Sequence, residues 1–98
     1  MPDTDDRGLA DVEALTAALQ TMSPSDAVEK AIHHCERLHL AIRSSHNEGT
    51  RFAAFTVNKI IRDLGAAPPS VLDAMARIRT ALEAAGVELH KYGLRAKG

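Results

Sequence analysis

Three clusters of helix-breaking residues constrain what this chain can fold into. Ser23-Pro24, the run Ser44-Ser45-His46-Asn47-Glu48-Gly49 and the run Gly65-Ala66-Ala67-Pro68-Pro69 cut it into stretches whose apolar residues return every three or four positions, the spacing of one helix face. Leu9, Val12, Leu15, Ala18, Leu19 and Met22 mark the first stretch, which Pro24 disfavours continuing. Ser23-Pro24-Ser25-Asp26 then reads as a start signal, with Pro at a first helical position and a carboxylate suited to the first-turn dipole. The six-residue polar run from Ser44 to Gly49 predicts a turn. Phe52, Phe55, Val57, Ile60, Ile61 and Leu64 follow it, stopping at Gly65. Ser70 is the expected cap of a last helix carrying Val71, Leu72, Met75, Ile78, Leu82 and Ala85 as far as Gly86.

The expected fold is all-α, a compact bundle of four helices at about 8–22, 24–45, 50–64 and 70–86. The 45% hydrophobic content is mostly Ala, Leu, Ile and Val, with 3% aromatic residues and no Trp, a composition that favours packed helices over strands. Residues 1–7 read as a flexible acidic arm and 8–98 as one helical domain. Beyond Gly86, Val87 and Leu89 alternate before Lys91-Tyr92-Gly93, which fits either a short hairpin or a polar tail. No apolar run approaches a membrane span, and a single cysteine makes no internal disulfide, so the expected location is cytoplasmic with no membrane partner.

A formal charge of −1 conceals an asymmetry. Over residues 1–29 seven carboxylates face Arg7 alone, a balance of −6, while residues 30–98 carry eleven Lys and Arg against six Asp and Glu, a balance of +5. Such a split suits either a basic surface for an anionic partner or an acidic segment for a basic one.

The segment AIHHCERLHLAIRSSH, residues 31–46, holds four of the five histidines and the only cysteine. On a helix with Cys35 at zero, His39 falls at about 40° and His46 at about 20°, on the apolar stripe with Val28, Ala31, Ile32, Leu38 and Ile42. His33 falls at about 160° and His34 at about −100°, on other faces. Cys35 and His39 at i, i+4 could supply two ligands, but no third residue stands at the required spacing and no CxxC or HExxH is present, so no metal or cofactor is expected. A thiol flanked by apolar residues is a poor nucleophile, and neither a glycine-rich phosphate loop nor a Ser/His/Asp arrangement appears. The chain is expected not to be an enzyme.

Residues 57–95, VNKIIRDLGAAPPSVLDAMARIRTALEAAGVELHKYGLR, resemble the C-terminal half of Xre-type, lambda-repressor-like helix-turn-helix regulators. Asn58 to Gly65 stand where those proteins end a recognition helix, Pro68-Pro69 at the linker, and Ala76 to Leu89 at the closing helix and first strand. The preceding residues 36–50 depart from that pattern, offering Leu40-Ala41 without a Gln-initiated helix and with a longer polar loop. The resemblance implies a DNA-binding regulator that places the third helix in the major groove, with Arg51, Asn58, Lys59 and Arg62 toward bases and phosphates.

A protein-binding regulator of transcription is the leading expectation. Leu40 falls at about 140° on the second helix, beside Glu36 and Arg37, and Phe52 and Phe55 cannot both follow the Val57, Ile61 and Leu64 line. Leu40, Phe52 and Phe55 are therefore candidate apolar anchors. Asp11 and Glu13 on the acidic first helix are candidates for meeting a basic partner surface. In size, near-neutral charge and helical character the chain is similar to small bacterial antiactivators, which bind a transcriptional activator or another regulatory protein.

Overall fold

A computed structural model describes residues 8–87, so the expected arm over 1–7 and the hairpin or tail after Val87 lie outside the described residues. The described chain is an all-α bundle of four helices: α1 Leu9–Gln20, α2 Asp26–Arg43, α3 Asn47–Leu64 and α4 Pro69–Ala84. None of them is long and apolar enough to cross a membrane.

The helix ends differ from expectation, and each difference traces to a cap. Pro24 lies outside α2: Ser25 is the N-cap, in extended conformation, and its hydroxyl accepts the Val28 N–H at 3.1 Å. The run 44–49 is not all turn. α2 ends at Arg43 and α3 begins at Asn47, because the His46 imidazole caps α3 through Nδ1, accepting the Gly49 N–H at 2.8 Å. That leaves a three-residue connection, 44–46, which Ser45 turns with a φ of 56°. At the other end of α3, Gly65 takes the left-handed conformation expected of it, with φ 76°. Pro68, not Ser70, precedes α4, and Pro69 occupies the first turn, where its missing N–H costs nothing.

Paired contacts give the packing. Glu13 meets His39 and Thr16 meets Cys35, so α1 advances as α2 retreats and the two are antiparallel. Gly8 against Ala81 and Asp11 against Arg77 make α1 and α4 antiparallel in the same way. Each helix touches its neighbours around a ring, α1 to α2 to α3 to α4 and back to α1, and α3 and α4 meet only along a thin seam. The core comprises Val12, Leu15 and Leu19 of α1, Ala31, Cys35, Leu38 and Ile42 of α2, Ala53, Ala54, Val57 and Ile61 of α3, and Val71, Ala74, Met75, Ile78 and Leu82 of α4. Each fully buried Leu or Ile contributes about 1.5–3 kcal/mol relative to exposure. Leu72, expected on this stripe, is 51% exposed instead, because Val71 and Met75 already fill the inward positions of the first turn.

Candidate functional site

The histidine-rich segment separates into unrelated environments. Cys35 is fully buried, and burial pushes its thiol up to about 11, with the Thr16 hydroxyl partly opposing and Glu36 adding to the rise. His39, expected inward beside Cys35, sits at the edge of the α1–α2 contact, where Nε2 lies 3.0 Å from a Glu13 carboxylate oxygen. At about 40° from Cys35 it lies toward the α1 edge of the stripe, where it reaches solvent and a carboxylate. His46 does not extend the α2 stripe at all, since α2 ends before it. His33 and His34 meet edge to face with ring centroids 5.6 Å apart. Among the described residues no three His, Cys, Asp or Glu side chains are grouped to hold a metal.

A groove of about 370 Å³ opens between α2 and the start of α3. Its two lips are Leu40, 59% exposed, and Phe52, 56% exposed. Small residues make the floor: Ala41 on α2, and Gly49 and Ala53 on α3. A Cβ at Gly49 would stand 2.8 Å from His46 Nδ1, so a larger residue there displaces the capping imidazole. The remaining lining is Ser44, His34, Arg37 and His46, with no carboxylate among the described residues. One nitrogen of the lining is anomalous: His34 Nδ1 is buried and has no hydrogen-bond partner among the described residues. Burial, followed by the like charges of His33, Arg37 and Lys30, holds this imidazole below its ordinary value of 6.5.

The candidate anchors are thus divided. Leu40 and Phe52 come together, whereas Phe55 is half-buried against the core and lines a smaller hollow of about 250 Å³ with Asn58, Lys59, Arg62 and Asp63. Asp11 pairs with Arg77 at 3.1 Å and the exposed Glu13 with His39 at 3.0 Å, so they link α1 to its two neighbours at the bundle surface. Among the residues placed for DNA, Asn58 is corrected: it is only 8% exposed and belongs to the inner face of α3. Arg51 pairs with Glu48 and is largely covered, and Lys59 pairs with Asp63 at 3.2 Å. Arg62 is exposed. The three-residue connection also corrects the longer polar loop read between the second and third helices.

As groove residues, His34, His46 and the small floor side chains were missed in the sequence. The signal was there in part: Ala41, Gly49 and Ala53 are small enough to leave space beside Leu40 and Phe52, but their pairing needs the three-residue connection to be known. Comparison with known protein families, curated proteins and solved structures finds no match to this chain.

Proposed function

We propose that this chain is a non-enzymatic regulator of transcription that acts by binding another regulatory protein through the α2–α3 groove. One observation carries the reading. Two large exposed apolar side chains, Leu40 and Phe52, flank a single groove with a small-residue floor, the form in which an interface anchor is received. Large apolar side chains scattered singly need no explanation, but a facing pair over a hollow does. The regulatory setting is supported by the resemblance of residues 57–95 to helix-turn-helix regulators. Direct DNA binding through α3 ranks second. The short α2–α3 connection favours it, since helix-turn-helix motifs join their helices by three or four residues. Against it stand the inward Asn58 and the internal pairing of Arg51 and Lys59.

The test replaces Leu40 with a photo-crosslinking amino acid in the native host, with Glu83 on the exposed face of α4 as the control position. A crosslink at position 40 to one transcriptional regulator, abolished by Phe52→Asp and absent at position 83, is the expected result. No crosslink, or crosslinks to proteins unconnected with transcription, overturns the reading. Affinity for host DNA that falls steeply with salt and is lost in Arg62→Ala would transfer the function to α3.

A further inference from the structure

The charge around the groove specifies what fills it. Lys30, His34, Arg37 and Ala41 lie at i, i+4, i+7 and i+11 along α2, one stripe running about 10 Å from Lys30 to Arg37 and on into the groove. Arg51, Lys59, Arg77 and His39 each have a carboxylate within reach, while Arg43, Arg62 and Arg79 have none among the described residues, so what sets Lys30 and Arg37 apart is their place on one stripe that leads into the groove. Lys30 and Arg37 have none among the described residues, and the groove lining contains none. His34 lies between these cations on the stripe and lines the groove, with its Nδ1 buried and without a partner among the described residues. The stripe therefore sets unpaired positive charge beside the exposed apolar pair Leu40 and Phe52.

We infer that the groove's partner is an acidic amphipathic helix, one large apolar side chain entering between Leu40 and Phe52 and carboxylates one and two turns away meeting Arg37, His34 and Lys30. This identification of the partner rests on the protein-binding reading above. A basic helix would meet two like charges, Lys30 and Arg37, which selects against it. A nucleic acid would satisfy Lys30 and Arg37 but leave Leu40 and Phe52 without an apolar occupant. Among the described residues a second copy of this chain has no acidic helix free in the same sense, because Asp11 and Glu13 of α1 pair with Arg77 and His39.

The experiment selects a displayed library of helical peptides against the whole chain and measures the enriched peptides, fluorescein-labelled, by anisotropy. Enriched sequences are expected to combine Asp or Glu with Leu, Phe or Met at helical spacing. Leu40→Asp and Phe52→Asp are each expected to weaken binding about thirtyfold or more, the loss typical of an interface anchor, with circular dichroism unchanged. Arg37→Glu weakens the same peptides and recovers binding to versions carrying Lys for Glu, while Glu83→Lys changes neither. Enrichment of basic or uncharged peptides, no enrichment, or binding indifferent to positions 37, 40 and 52 overturns the proposal. So does a dimer in sedimentation that Leu40→Asp dissociates, or single-stranded DNA binding lost in Arg37→Glu with no peptide selected. A crosslink to a regulator at position 40 together with selection of non-acidic peptides would leave the protein-binding reading standing and remove only the acidic helix.

Discussion

A thiol sealed between α1 and α2 behaves as a small apolar side chain and not as a reagent. Cys35 has no exposure and its thiol is pushed up to about 11, chiefly by burial, so thiolate is scarce at neutral pH. Iodoacetamide at pH 8 is expected to label the native protein at least about a hundredfold more slowly than the urea-unfolded chain, since labelling waits on opening. Comparable rates would mean that α1 and α2 part readily. His34 has the opposite relation to pH. Its folded value is held below the unfolded 6.5, so its contribution to stability is present above about 6.5 and is lost as pH falls through the folded value, because the unfolded chain takes the proton first. Urea midpoints between pH 7.5 and 5 should fall less steeply in His34→Gln than in the parent. An equal slope would show that His34 protonates as freely in the fold as outside it.

At the scale of the element, the start of α3 is where sequence and structure diverge most. The three-to-four periodicity of Val57, Ile61 and Leu64 was readable, as was Gly65 as a terminator, because both are local properties of the chain. The start was not, because a histidine is an unusual cap and the run of polar residues before Thr50 has the composition of a turn. The groove was legible only as separate residues: Leu40 and Phe52 stood out by angle, but their meeting depends on a connection three residues long. His46→Ala is expected to cost about 1 kcal/mol of stability by removing the acceptor for the Gly49 N–H, with much of it restored in His46→Asn. Gly49→Ala gives the sharper outcome. Helix propensity alone predicts a gain of about 0.8–1 kcal/mol. The clash with His46 Nδ1 at 2.8 Å predicts a loss instead, and chemical denaturation decides the sign.

Across the whole molecule, α1 joins the parts. It packs on α2 at one side and α4 at the other, while α3 and α4 meet only at their seam. Gly8, with φ 91°, starts α1 where a Cβ would come within 3.1 Å of the Ala81 Cβ. Gly8→Ala is expected to destabilise the fold by about 1–2 kcal/mol, the cost of holding an L-residue left-handed, before the contact is counted. Arg77→Ala, which removes a half-exposed ion pair with Asp11, should cost less than about 1 kcal/mol. A larger loss from Arg77 than from Gly8 in thermal denaturation would mean that charge, not close backbone approach, fixes α4.

The acidic first helix, whose composition suggested a contact for outside partners, has its strongest consequence for portability. The surface that presents Leu40 and Phe52 belongs to α2 and α3, yet Cys35, Leu38 and Ile42 behind it are covered by the bundle, and α1 is the helix that covers α2 from the other side. A peptide cut to the α2–α3 hairpin would expose that buried row as a second sticky face, competing with the groove and inviting aggregation. The proposed binding surface therefore cannot be transplanted as a two-helix fragment, and any smaller mimic has to carry α1, or a substitute for its Val12, Leu15 and Leu19, along with it.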